Sequence, residues 1–374
     1  MALDLSSRFT SKLHSERVAA QLGIWLGISF TIAFVTGLFS HFMQHPPSWL
    51  LWPSRPVNLY RFTQGLHVIG GIATIPLLLA KLWTVYPRLW QWPPFRSIGH
   101  ATERGLVALL VAGSLFQVVT GVTNIAYWYV WPFVFTNAHY WTAYILVGAL
   151  IIHVANEWAK VKRHALPTRV RIPPEPPADA RSRRRFLTTV AAASGIAALV
   201  TVGETYKPLS RLALLAPRNP DKGPQGLPVN RSAAAAGITV NADYRLLITG
   251  SVRNQLSFTY EDLLKLPQHT VRLPIACVEG WSYDAEWTGI RLKDLMAQAG
   301  VPSDATLSVE SLQRYGAYGV SEVKPPHWHD PLTLLAIKVN GETLHPDHGY
   351  PVRLIAPNRP GVMQTKWVTK VVAS

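Results

Sequence analysis

Cys277 closes an alternating apolar stretch, "TVRLPIACV", and is the only cysteine in the chain. It can form no intrachain disulfide, so three uses remain: a small buried hydrophobe, a nucleophile, or a soft thiolate ligand for a metal. The other groups that could do chemistry are imidazoles. His67, His139 and His153 stand inside long apolar runs, where an ionisable side chain is expensive and marks a functional position. His139 and His153 are 14 residues apart, which on a helix puts them on one face about 21 Å from each other. His67 falls level with His139. Haem iron takes neutral imidazoles above and below its ring, and facing helices can supply such a pair. His67 with His139 is the natural pair for one haem, with His41 as a competing ligand. His153 would serve a second haem with His14 or His100.

Two other patterns carry less. "GWSYD" approaches the Gly-x-Ser-x-Gly elbow of serine hydrolases, but Asp284 stands where that turn needs glycine, so Ser282 is not expected as a nucleophile. "HWHD" and "HPDH" bring His327, His329, His345 and His348 to metal-like spacing. No cysteine or helix-spaced glutamate accompanies them, and a solvated loop is expected for the first pair.

The elements that must position these groups fall into two halves. Four apolar runs, 18–40, 66–85, 106–125 and 138–158, are long enough to cross a bilayer, which takes roughly 20 residues. A fifth, weaker run covers 186–202. The chain has 374 residues, is 48% hydrophobic and 15% charged, and carries a net charge of +15, a balance that suits a multi-domain membrane protein. Lys and Arg crowd the segment before the first run (Arg8, Lys12, Arg17), the link between the second and third (Arg88, Arg96, Arg104) and the stretch after the fourth. The intervening links hold Arg55 alone. That asymmetry predicts a multi-pass protein of the plasma membrane with a cytoplasmic N-terminus, and a fifth span would carry everything after it to the extracytoplasmic side. Topology thus accounts for much of the charge, and no nucleic-acid partner is expected.

The segments "HSERVAAQLG", "QGLHVIGGIATIPLLLAKLW" and "NAHYWTAYILVGALIIHV" resemble the four-span, di-haem b-type cytochrome subunits of formate dehydrogenases and hydrogenases. The resemblance implies an all-α haem bundle, haem b as cofactor and a quinone or quinol partner in the lipid bilayer. His139 and His153 match that family's two fourth-span ligands, and His67 matches its outer partner. The inner partner normally lies just beyond a Glu-Arg pair. Glu16-Arg17 is present, but Ala19 and Ala20 follow, so His14 is the substitute ligand.

Beyond residue 243 the chain alternates and turns often. "YRLLITGSV", "TVRLPIACV", "TLSVESL", "LAIKVNGETL", "PVRLIAP" and "KWVTKVVA" read as strands, Thr259 with Asp262 opens a short helix, and "VNGE" is a hairpin turn. The class is α+β, without the repeated βαβ units of a nucleotide-binding parallel sheet. "LPIACVEGWSYDAEWTGIRLKDLMAQAG" and "HGYPVRLIAPNRPGVMQTKWV" resemble the two molybdopterin motifs of the sulfite oxidase family. The resemblance implies Cys277 as the molybdenum ligand with Glu279 beside the metal. It places Asn230, Ser311, His348, Arg353, Gln364, Thr365 and Lys366 at pterin-binding positions. "CVEGWS" is most like the periplasmic protein-methionine-sulfoxide reductases, and the Arg-rich segment that follows the cysteine in animal sulfite oxidases is missing.

The expected organisation is a four-span haem domain (1–165), a basic linker (166–185), a fifth helix (186–203), an outer linker with the first cofactor contacts (204–242) and the molybdopterin domain (243–374). "RSRRRFLTTVAAASG", with Arg183, Arg184, Phe186 and Leu187, resembles a twin-arginine export signal lying at the seam, where a pre-folded, pterin-loaded domain would need one. The expected function is quinol oxidation through one or two b haems coupled to reduction of a sulfoxide or other oxygenated substrate, small or protein-borne, at molybdenum. The rivals are the same site run as a sulfite-type oxidase feeding quinone, and a haem sensor or binding protein with an inactive outer domain.

Overall fold

The computed structural model describes residues 9–126, 128–133, 135–165, 176–214, 223–316 and 318–374. Contacts divide the chain into two units: one comprises the residues up to Val35 and Leu66–Thr201, the other Thr36–Gly65 and Val202–Ser374.

The first unit is helical. Its helices belong to α1 (Glu16–Gln44), α2 (Leu59–Val85), α3 (Ile98–Ile125), α4 (Phe135–Ala165) and α5 (Pro177–Val202), and all five are long and apolar enough to cross a membrane. Large apolar side chains such as Trp25, Ile151 and Trp141 are exposed on them, the reverse of a water-facing surface. α5 begins nine residues before the expected fifth span. Pro177 takes its first position and Asp179 sits in its first turn, two favourable ways to open a helix. Arg181 and Arg183–Arg185 are therefore helical, and Arg183 donates to Gln21 at 3.3 Å. Residues 166–175 of the expected linker lie outside the described residues.

The second unit carries two five-stranded sheets. The first runs β2 (Leu256–Thr259), β1 (Arg245–Gly250), β10 (Val368–Ala373), β5 (Leu307–Ser311), β6 (Val320–Val323). The second runs β3 (His269–Ala276), β4 (Ser282–Arg291), β7 (Leu334–Val339), β8 (Glu342–Thr343), with β9 (Arg353–Ile355) on β7. Short helices α6 (Tyr260–Lys265), α7 (Leu292–Ala299) and α8 (Pro325–Trp328) fill the connections. The capping box is present: Thr259 accepts from Asp262 N, and Asp262 accepts in return. Asn340 and Gly341 both take positive φ, as the two-residue hairpin between β7 and β8 requires.

Two apolar clusters hold the unit. One joins Leu246, Ile248, Leu292, Leu307 and Val371; the other joins Leu273, Ile275, Cys277, Trp281, Trp287 and Leu334. β4 was not among the strands expected from sequence, yet it is central to the second sheet. Its outward residues Asp284 and Glu286 alternate with buried Ala285 and Trp287, the period-2 signature of a half-buried strand.

Candidate functional site

β3 and β4 pair from His269↔Gly289 down to Ala276↔Ser282. Cys277 to Trp281 is therefore the connecting loop of a hairpin. Cys277 N donates to Trp281 O at 2.9 Å, Gly280 N to Cys277 O at 3.1 Å, and Gly280 closes the turn at φ 104°, a conformation that glycine tolerates best. The thiol is buried, 2% exposed. Gly361 passes so close that a Cβ there would meet Ala276 O at 2.9 Å. Glu279 is also buried and accepts from Trp281 Nε1 at 3.1 Å.

A small recess opens beside this loop, and Cys277, Trp281, Asn230, His348, Arg353 and Lys366 line it. Its electrostatics are cationic. Arg353 is 2% exposed, donates from Nη1 to His348 O at 3.1 Å, stacks over Trp287 at 5.4 Å and leaves Nε without a partner among the described residues. Burial pulls its guanidinium down to about 9. Lys366 Nζ donates to Asp347 O (2.7 Å), Arg231 O (2.9 Å) and Asn230 Oδ1 (3.4 Å). Burial, then the charge of Arg353, brings it down to about 7. His348 donates from Nε2 to Pro224 O at 2.7 Å, and burial holds it neutral, down to about 4.

Arg353 is buried and Lys366 partly buried, and among the described residues neither forms an ion pair with a carboxylate, Asp347 acting on Lys366 only through space; such cations are costly unless an anion joins them. The recess therefore suits a phosphate-bearing group, with Arg353 as a planar fork and Lys366 as a point charge. The thiol at its wall suits a soft, high-valent metal. The residues fit a molybdenum pterin.

Not every expected residue faces the recess. Ser311 donates to Lys366 O at 2.7 Å. Gln364 Nε2 donates to Arg359 O at 3.1 Å, and Thr365 pairs with Ser321 at 2.6 Å. These three brace the wall. Pro228, Ile275, Trp281 and Gly361 line the recess but were not singled out in sequence. The solvated loop expected for His327 and His329 is corrected in part, because His327 is 6% exposed on α8, where Thr333 Oγ1 donates to its carbonyl. Ser282 Oγ is buried without a partner among the described residues, with no base bonded to it.

In the helical unit, His67 and His139 face each other with ring centroids 6.3 Å apart and planes at 75°. His67 Nδ1 bonds Ala33 O at 2.8 Å, so Nδ1 carries the proton and Nε2 keeps its lone pair. His139 Nδ1 bonds Thr120 Oγ1 at 2.8 Å, while Thr120 gives its own proton to Phe116 O. Both Nε2 atoms are thus left as potential ligands, oriented by bonds at the far nitrogen. His14 Nδ1 bonds Thr84 O at 3.2 Å, and its ring neighbours are Phe9, Trp83 and Tyr86. No contact among the described residues joins it to His153. Lys81 donates to Ala19 O at 2.6 Å, beside the position where the resemblance places an inner ligand.

The family described as "Oxidoreductase molybdopterin binding domain" matches residues 233–374. Mouse mitochondrial sulfite oxidase is 34% identical over 156 residues, 34% of this chain and 28% of that protein. The protein-methionine-sulfoxide reductase catalytic subunit MsrP of Gluconobacter oxydans is 32% identical over 143 residues, 34% of this chain and 46% of that protein. The uncharacterized oxidoreductase YuiH of Bacillus subtilis is 29% identical over 126 residues, 33% of this chain and 62% of that protein. The chain thus spans about a quarter of the sulfite oxidase and under half of MsrP. Residues 233–374 form a molybdopterin-binding oxidoreductase domain, similar to part of the sulfite oxidases and of MsrP.

Proposed function

We propose that the protein is a membrane-anchored reductase that draws electrons from quinol through b haem and removes oxygen from a sulfoxide-type substrate. The observation that carries this reading is the juxtaposition of the Cys277 thiol with buried Arg353 and partly buried Lys366 around one recess. It occurs in a chain whose helical part presents two facing imidazoles, each hydrogen-bonded through Nδ1 and with no Nε2 partner among the described residues. MsrP, by its name, reduces methionine sulfoxide in protein, which supports the substrate class.

Bound at Cys277, molybdenum supplies reversible two-electron oxygen-atom exchange. Arg353, Lys366 and Asn230 would hold the pterin's anionic tail, and neutral His348 would donate rather than repel. Buried Glu279, which accepts from Trp281 Nε1, would stand beside the metal and could hold a proton for the departing oxygen. The balance is one sulfoxide, two electrons and two protons giving one sulfide and one water. One quinol supplies both the electrons and the protons. His67 and His139 would hold the haem; His153 with His14 remains the proposal for a second. The orientation has a cytoplasmic N-terminus and an extracytoplasmic molybdopterin domain, and Arg183, Arg184, Phe186 and Leu187 serve as the folded-export signal.

Metal analysis of the purified protein tests the reading. It requires molybdenum and haem iron in the same chain, and loss of molybdenum but retention of iron in Cys277→Ser. Haem iron without molybdenum in the wild type would leave a haem sensor or binding protein instead.

A further inference from the structure

The loop that carries Cys277 has more external support than a hairpin turn needs. A five-residue loop leaves several backbone groups to be satisfied from outside, and here the partners come from residues far away in sequence. Gln64, near the N-terminus of α2, donates from Nε2 to Val278 O at 2.8 Å. Its Oε1 accepts from Ser40 Oγ at 2.7 Å, so both ends of this buried amide are committed. Thr205 Oγ1 donates to Gly280 O at 3.2 Å, and Ser282 N donates to Glu204 O at 2.8 Å. On the other side of the cysteine, Ala276 packs with Met43, Tyr60 and Trp52.

The rest of the Thr36–Gly65 segment is fastened to the same unit. Arg61 Nη1 reaches both carboxylate oxygens of Asp284 at 2.9 Å, and its Nη2 donates to Thr205 O at 2.8 Å. Arg55 pairs with Asp330 through two bonds, 2.9 and 3.1 Å. Asn358 Oδ1 accepts from Tyr60 N, and its Nδ2 donates to Pro53 O. None of the arm residues falls in the stretch that matches the molybdopterin family, which starts at residue 233. Among the described residues neither sheet takes a strand from the arm, and Val57 alone of it packs on the second cluster. An anchor serving stability alone could sit anywhere on the domain; this one holds the two neighbours of the metal ligand.

We propose that the arm Thr36–Gly65 is the inlet for electrons into the molybdopterin domain, with the Gln64–Val278 hydrogen bond as the contact that passes them to the Cys277 loop. The inference rests on the electron-transfer reading above. His67, a proposed haem ligand, follows Gln64 by three residues on α2, so donor and arm share one helix. The electrons are the two that a quinol gives up per sulfoxide reduced. The arm moves electrons only, and the two protons reach the product water separately.

The test compares two reductants on the full-length protein: a quinol, which must use the internal route, and reduced viologen, which can reduce an exposed domain directly. In Gln64→Leu the quinol-driven rate of methionine sulfoxide reduction should fall on the order of tenfold, equivalent to about 1.4 kcal/mol in barrier. The viologen-driven rate and the molybdenum content should hold. Thr205→Val removes a different bond to the same loop and should leave the ratio of the two rates unchanged. Equal loss of both rates in Gln64→Leu, an unchanged ratio, or an equal drop of the ratio in Thr205→Val would each reduce the arm to a structural brace. A wild-type protein active with viologen but inert with quinol would overturn the electron-transfer reading itself, which is a separate failure.

Discussion

Arg353→Met separates the cofactor role of the recess from its cost to the fold. Burial lowers the Arg353 guanidinium well below its ordinary value, to about 9, and at 1.36 kcal/mol per pH decade keeping the cation in the cofactor-free domain costs on the order of 4–5 kcal/mol. One hydrogen bond to His348 O and the ring of Trp287 compensate, together about 2 kcal/mol. Methionine fills similar volume without the charge, so the cofactor-free variant should be at least as stable as the cofactor-free wild type. The sign holds at neutral pH. A cation with a depressed folded value is protonated in both states below about 9, so the full cost is present there, and stability recovers only as pH rises beyond that value. The loaded protein behaves oppositely. Removing the fork that faces a buried anion costs about 2–5 kcal/mol of binding, so Arg353→Met should lose its pterin on gel filtration, with Arg353→Lys intermediate. Thermal unfolding at pH 7 of protein made in cells unable to assemble molybdopterin, with molybdenum analysis of protein from normal cells, reads both arms. A variant that keeps molybdenum at wild-type stoichiometry and melts well below the cofactor-free wild type would refute the reasoning.

Other consequences are open to measurement. His139→Ala should abolish or shift the haem absorption assigned to the His67–His139 pair while leaving molybdenum in place; an unchanged visible spectrum removes that pair as ligands. Gly361→Val pushes a side chain onto Ala276 O, so overpacking should cost about 1–3 kcal/mol and lower molybdenum occupancy, read by unfolding midpoint and metal content. His327 is held neutral, at about 4, by burial and then the charge of Arg359. Its contribution is therefore present above the unfolded value of 6.5 and is lost as pH falls toward 4. Wild type should lose about 2 kcal/mol more than His327→Gln between pH 7 and pH 5; parallel pH profiles would contradict this.

The parts of the site that could be read from sequence are those fixed by local chemistry. A lone cysteine ending an apolar alternation became the first residue of a hairpin loop, and Thr259 with Asp262 and Asn340 with Gly341 formed the cap and turn that their side chains favour. Five apolar runs became five membrane-length helices. What escaped depends on distance in the chain. β4 was hidden because its loop reads as a near-miss hydrolase elbow, although Ala285 and Trp287 alternate with Asp284 and Glu286. Gln64 and Thr205 reach the Cys277 loop across 214 and 75 residues of chain, through the Gln64–Val278 and Thr205–Gly280 bonds, Glu204 O meets it at Ser282 N, and no local pattern marks them. The early start of α5 was legible in Pro177 and Asp179, but the arginines that follow read more strongly as a linker.

The central claim is that electrons run from quinol through haem to an oxygen-accepting molybdenum site. The most direct measurement is the haem spectrum of quinol-reduced protein on anaerobic addition of methionine sulfoxide. The account predicts reoxidation of the haem with sulfide formed in proportion, absent in Cys277→Ser. Haem that stays reduced with sulfoxide, yet becomes reduced when sulfite is added to the oxidised protein, would contradict it and reverse the direction of flow.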